Sequence, residues 1–308
     1  MESKAGFRKI PSLAADSAFF RPPPPHTMGK NGGGRQMRLG VALEGGGVRC
    51  AAQAGVLLGL FQAGIKPFAY AGCGAGALVA ALAATGTLRE DVALGFAKGG
   101  HRWGRLRLAS LDSRLQSHFG GHSMREMAPV ALPTIDMETG SLQILSSALP
   151  VRPDPRPWSR QALIATAVRA AMATPGALPP VSWRARRLIG GGQLRPVLPE
   201  LLLALGAERL LTIRVLDTGC AQLETHPAAL AICAHALTAQ KPPTTDMMIV
   251  IGGYEKGSGA LDRKSAGAFF EAGRLAGQQA LPQIQRMIGH EKGKIIAFPL
   301  DRAGRSPI

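Results

Sequence analysis

Leu39-Gly-Val-Ala-Leu43 runs into Glu44-Gly-Gly-Gly-Val-Arg-Cys50, and Pro67-Phe-Ala-Tyr-Ala71 runs into Gly72-Cys-Gly-Ala-Gly76. Each apolar run is short and bounded by glycine, which suits a buried parallel strand, and each glycine turn is followed by an apolar helical pattern. Ala51 to Ala63 carries Val56, Leu57, Leu60 and Phe61 at helical spacing, and Ala77 to Ala84 is almost wholly apolar, hence a buried helix. The form strand, glycine turn, helix therefore occurs twice within Arg38 to Gly86. Free N–H groups at each helix start then face a glycine-rich turn, which offers an anion site or an oxyanion hole.

Three chemistries share this form. A dinucleotide fold needs a third glycine where Cys50 stands and an acidic residue about 20 positions on. No Asp or Glu occurs between Gly45 and Arg89. A phosphate-cradling P-loop needs Gly-Lys-Ser/Thr at the helix start, where Arg49-Cys50-Ala51 stands instead. The nucleophile elbow, Gly-x-Ser-x-Gly, fits Gly72, Cys73, Ala75 and Gly76, but its nucleophile position holds Gly74.

At these residues the chain resembles the patatin-like phospholipase family. Gly45-Gly46-Gly47-Val-Arg49 is similar to the family's oxyanion loop, with Cys50 in place of its last glycine, and Gly72 to Gly76 is similar to its elbow without the serine. Ala170 to Val181 and Leu188-Ile-Gly-Gly-Gly192 resemble the segment leading into the family's Asp-Gly-Gly/Ala motif, with Gly190 at the aspartate position and Gly191 and Gly192 as its remnant. Ile135 to Gly140 and Leu205 to Arg214 resemble further family segments in the same order. The resemblance spans about Met37 to Phe270. It implies a three-layer α/β/α fold with a mostly parallel central sheet, and a serine-dependent lipid acyl hydrolase ancestry without cofactor or metal.

Composition bounds the partners. With 308 residues and 46% hydrophobic content the chain buries a sizeable core. Its formal charge of +16 favours anionic partners, and 5% aromatic content leaves few rings to stack bases, so nucleic acid is the weaker option beside a peripheral anionic membrane surface. Cys50, Cys73, Cys220 and Cys233 lack metal-ligand spacing and suit a reducing, cytoplasmic compartment. Residues 1–36, with Arg21-Pro-Pro-Pro-Pro25 and Gly32-Gly-Gly34, read as a disordered basic tail without a signal-peptide core. Residues 37–308 then form one domain, its motif-bearing part about 38–216 and its completion 217–308. No run of 18 uninterrupted apolar residues predicts a transmembrane helix.

Along the rest of the chain, Lys98 to Arg107 reads as a basic loop with Trp103, a candidate for a membrane surface. Ala131 to Ala148 reads as a hairpin turning at Gly140, and Val151 to Trp158, with three prolines, as an extended connection. A helix is expected from Ser159 through Ala171, another over Pro199 to Leu205, and a strand over Leu210 to Leu216. Further helices are expected at Ala228 to Gln240 and Ala266 to Gln285, with a strand at Met247 to Ile251. Alternating strands and helices argue for a parallel sheet covered on both faces.

The missing dyad decides the functional expectation. Gly74 has no side chain to form an acyl-enzyme, and Gly190 has no carboxylate to act as base. Gly45, Gly46, Gly47 and Arg49 remain to hold a carboxylate, a phosphate or a fatty acyl headgroup. The expectation is a pseudoenzyme that binds lipid or an acyl ligand, or regulates an unidentified protein partner. The alternatives are a serine hydrolase with engineered replacements or an unconventional nucleophile such as Cys73, and a basic interaction module without a ligand.

Overall fold

A computed structural model describes residues 37–98, 105–195, 197–215, 245–252, 263–289 and 295–299, the backbone alone at 105–109 and 295–299. The expected tail, Trp103, Cys220, Cys233 and the helix at 228–240 lie outside the described residues.

The two quoted stretches fold as read. Strand β1 (Leu39–Leu43) passes through a 3-10 turn, Gly47–Cys50, into α1 (Ala51–Gln62). Strand β2 (Ala69–Gly72) turns into α2 (Ala75–Ala84). Two further helices follow, α3 (Glu90–Lys98) and α4 (Arg105–Phe119). The expected basic loop is therefore shorter than its charge pattern suggests, because Arg105 already opens α4. Leu111, Leu115 and Phe119 give that helix its i, i+4, i+8 face against the core.

Strands β3 (Val130–Asp136) and β4 (Leu142–Ser146) form the expected antiparallel hairpin, with Gly140 at φ 67° in the turn. The expected helix start at Ser159 is corrected. Trp158–Ser159 is a short strand, β5, paired with Ile144 and Leu145, and α5 spans Ile164–Met172. The backbone at 158–159 is recruited to cover the β4 edge, which a helix there would leave unpaired. A second hairpin, β6 (Val181–Trp183) with β7 (Arg186–Gly190), then precedes α6 (Glu200–Ala204) and β8 (Arg209–Val215). After β9 (Met247–Gly252) come α7 (Ala266–Ile288) and β10 (Ile295–Pro299).

The sheet order is β10-β9-β8-β1-β2-β3-β4-β5, parallel from β10 to β3, with β7 pairing antiparallel to the outer half of β3. Side chains alternate between its faces. Leu39, Val41 and Leu43 enter the larger core beneath α1, α2, α5 and α7, whereas Ala42, Ala69, Ala71 and Cys73 enter a smaller core beneath α6. The outcome is the expected three-layer α/β/α arrangement.

The crossing of α1 and α7 needs glycine. A β-carbon at Gly273 would stand 1.8 Å from the Ala52 carbonyl oxygen, and one at Gly55 2.1 Å from that of Phe270. At Gly59 the nearest atom would be 3.5 Å away, an ordinary contact. Gly273→Ala should therefore cost roughly 3 kcal/mol or more by forcing the helices apart. Gly59→Ala should be neutral or add up to about 1 kcal/mol through helix propensity. Urea unfolding of both variants checks the contrast.

Candidate functional site

Both glycine turns meet at the carboxyl ends of β1 and β2. At the second, Gly74 has φ 52° and ψ −132° and directly precedes α2. This backbone is costly for any residue bearing a β-carbon. A β-carbon at Gly74 would have a single close neighbour, the Gly45 Cα at 3.2 Å, so the first turn lies against the second. The flanking glycines are steric requirements. A β-carbon at Gly72 would meet the Gly76 carbonyl oxygen at 2.5 Å, and one at Gly76 the Glu44 carbonyl oxygen at 2.5 Å.

The first turn is anchored from below. The Glu44 carbonyl accepts from Gln53 Nε2 at 2.6 Å and from Cys50 Sγ at 3.5 Å. Its carboxylate is buried and takes the Arg214 Nε at 2.6 Å. Burial pushes the Glu44 carboxyl above its ordinary value, and the hydrogen bond and charge of Arg214, then the charge of Arg49, oppose that shift. Arg49 is itself buried, with Nε 3.4 Å from the Gly46 carbonyl oxygen, so its cation lies within the loop's support. Gly45 and Gly46 are half-buried and Gly47 is exposed. Neither the Gly45 nor the Gly46 N–H joins a backbone hydrogen bond among the described residues. These donors are available to an anionic oxygen.

The third glycine cluster follows β7. Its first member, Gly190, is buried and held by α5, whose last carbonyls have no partner within their own helix. The Gly74 N–H donates to the Ala171 oxygen at 3.2 Å, and the Gly190 N–H to the Ala173 oxygen at 2.7 Å. The end of α5 thus ties the elbow to β7, bringing positions 74 and 190 together from 116 residues apart in the chain. Yet a β-carbon at Gly190 would stand 2.3 Å from that same Ala171 oxygen. A β-carbon at Gly74 would make one tight contact, whereas one at Gly190 would overlap backbone. A carboxylate at 190 would also face the partial negative charge at the α5 C-terminus. Gly191 is buried against Pro133, and Gly192 lies near the Cys73 Cβ.

Cys73 belongs to the other face of the sheet. It is buried in the core beneath α6, its Sγ 3.9 Å from the Arg195 carbonyl oxygen. Burial pushes its thiol far up, with the charges of Glu44 and Glu200 adding and that of Arg195 opposing. Such a thiol is a poor nucleophile. Ala75 is half-buried beside Gly74. Among the described residues no cluster of His, Cys, Asp and Glu could hold a metal. No described helix is long and apolar enough to cross a membrane. Two features were missed in the sequence: the Glu44–Arg214 pair, whose partners lie 170 residues apart, and the α5 carbonyl at position 190. No local pattern signals either.

Residues 41–203, more than half of the chain, match the family model described as patatin-like phospholipase. Among solved structures, that of VipD from Legionella pneumophila aligns with a TM-score of 0.46 and 12% identity, covering 80% of this chain and 67% of that one.

Two outcomes follow from the packing. Gly190→Ala should destabilise by roughly 2–4 kcal/mol because its β-carbon meets backbone. Gly74→Ala should lose about 1–3 kcal/mol, from backbone strain and one tight contact with the Gly45 Cα, and denaturant titration compares the two. Arg214→Ala should cost about 3–5 kcal/mol at neutral pH by leaving Glu44 buried without its cation. In that variant the folded-state carboxyl is raised further, so the folded state binds more protons than the unfolded one. The deficit relative to the parent therefore shrinks as pH falls toward 4.5, and parallel unfolding series across pH read it directly.

Proposed function

Since this chain belongs to the patatin-like phospholipase family, we propose that it is a catalytically silent member that binds an acyl ligand at the retained oxyanion loop. The carrying observation is the unequal fate of the two dyad positions. Gly74 keeps the elbow backbone against Gly45, while the side-chain space at Gly190 is occupied by the Ala171 carbonyl.

The chemistry follows from what remains. Hydrolysis through an acyl-enzyme needs a nucleophile and a group to take its proton, and neither dyad position carries one. Serine hydrolases stripped of the triad retain only roughly 10³–10⁴-fold over water from the oxyanion hole and binding. Binding itself needs neither residue. The Gly45 and Gly46 N–H groups, with the N-terminus of α2 beside them, suit a fatty acid carboxylate or an ester carbonyl. Gly46, Gly74 and Ala75 are half-buried and Gly47 is exposed, which supports access of a ligand to the donors. The parts this reading assigns are Gly45, Gly46 and Gly47 as donors, Arg49 as the buried cation supporting them, and Gly72 to Gly76 as the turn that faces them.

The parent protein should show no turnover of a short p-nitrophenyl acyl ester, and Gly74→Ser alone should stay inert for lack of a base. A medium-chain fatty acid should raise the parent's Tm, since a ligand at 100 times its Kd adds about 2.7 kcal/mol. Turnover by the parent would overturn the reading in favour of an active hydrolase, and Cys73→Ala would then test the thiol. Absence of any thermal shift would favour an interaction module instead.

A further inference from the structure

A concave site with a different lining lies beside the β6–β7 hairpin. A cleft of about 420 Å³ is lined by Arg125, Arg160, Arg184, Arg186, Trp158 and Trp183, among other residues. No acidic side chain lines it among the described residues. That volume suits a small ligand or a headgroup and is far too small for a nucleic-acid duplex.

The cations are incompletely neutralised. Glu126, next to Arg125, spends one oxygen on the Ser123 N–H at 2.7 Å and the other on His122 Nδ1 at 2.7 Å. Arg184 lies over the Trp183 ring, its Cζ 5.3 Å from the centroid, with no carboxylate partner among the described residues. Arg160 Nε is buried without a hydrogen-bond partner among the described residues. Among the described residues, Arg186 alone of the four pairs with a carboxylate, Asp136 Oδ2 at 2.9 Å, and it remains half-exposed. Four guanidinium groups around one small space repel one another unless an anion sits between them.

Backbone geometry adds an independent pointer. Arg184 and Ala185 form the two-residue turn between β6 and β7, with φ 48° and 55°. Such a turn ordinarily takes glycine or asparagine. Here the strained position carries a guanidinium, and strain of this kind gathers at ligand clamps.

We infer that this cleft binds a phosphate group, its oxygens accepting from Arg125, Arg160 and Arg184 while the tryptophan rings wall the ligand. A tetrahedral phosphate accepts several charge-assisted hydrogen bonds at once, which a planar carboxylate does less well. The inference goes beyond the acyl site and stands without it. The two sites are nonetheless neighbours: Arg186 begins the strand that ends at Gly190, about 13 Å on at 3.3 Å per residue.

The test uses the full chain in two arms. Calorimetric titration with inorganic phosphate and glycerol 3-phosphate reads a soluble ligand, and co-sedimentation with phosphatidylcholine vesicles with and without phosphatidic acid reads a lipid headgroup. Binding in either arm should weaken roughly tenfold or more in Arg125→Gln/Arg184→Gln. Lys66→Gln/Arg274→Gln removes the same charge elsewhere and should stay within about twofold of the parent. Both cleft substitutions are at exposed side chains, so the fold is retained, and Arg184→Gln alone serves as the milder variant. No binding by the parent in either arm, or equal losses in the cleft and control variants, would overturn the inference.

Discussion

Helix α2 begins where it does because its backbone lies on the end of β1, where a β-carbon at Gly76 would stand 2.5 Å from the Glu44 carbonyl oxygen. This approach sets the rest of the carboxyl edge. It presses Gly45 against Gly74 and holds the elbow at φ 52°, beside a loop whose Gly45 and Gly46 N–H groups join no backbone hydrogen bond among the described residues. From beneath, the Glu44–Arg214 pair and Gln53 brace the loop's backbone.

The same close packing treats the glycines at 74 and 190 differently. At the elbow, glycine relieves strain and leaves the backbone in place. At position 190 the result differs, because the α5 terminus supplies a carbonyl that binds the elbow N–H and occupies the side-chain space. A β-carbon at 74 would make one tight contact, whereas the side-chain space at 190 is filled by the carbonyl that accepts from the elbow N–H. The Gly45 and Gly46 backbone is half-buried, whereas position 190 is buried.

Charge follows a different geometry from the acyl site. Of the cations near the elbow, Arg214 is committed to Glu44 and Arg49 lies buried in the loop's support. Arg156 and Arg195 converge on Glu200, and Arg156 also pairs with Asp154, whose carboxyl it holds down to about 2. The less neutralised guanidinium groups gather instead on the β6–β7 hairpin and the β5 edge. An excess of positive charge read from composition thus resolves into structural pairs at one site and an open cluster at another.

Much of the fold was legible because strand and helix periods are local. The runs at Leu39, Ala69 and Leu210 are short, apolar and bounded by turn residues, and they became parallel neighbours. The glycines at 45–47, 72–76 and 190–192 announced themselves by spacing, and the absence of side chains at 74 and 190 is a sequence fact. The reading failed at Ser159, where pairing with Leu145 outweighed helical pattern. It was silent on Gly55 and Gly273, whose need for glycine arises only where two helices 218 residues apart in the chain cross. By itself, then, the sequence determined the layers, the turns and the glycines at 74 and 190, since these depend on residue type and local period. The tertiary structure alone decided that position 190 is closed by the Ala171 carbonyl and that four arginines share one cleft. Both depend on distances between segments that no local pattern encodes.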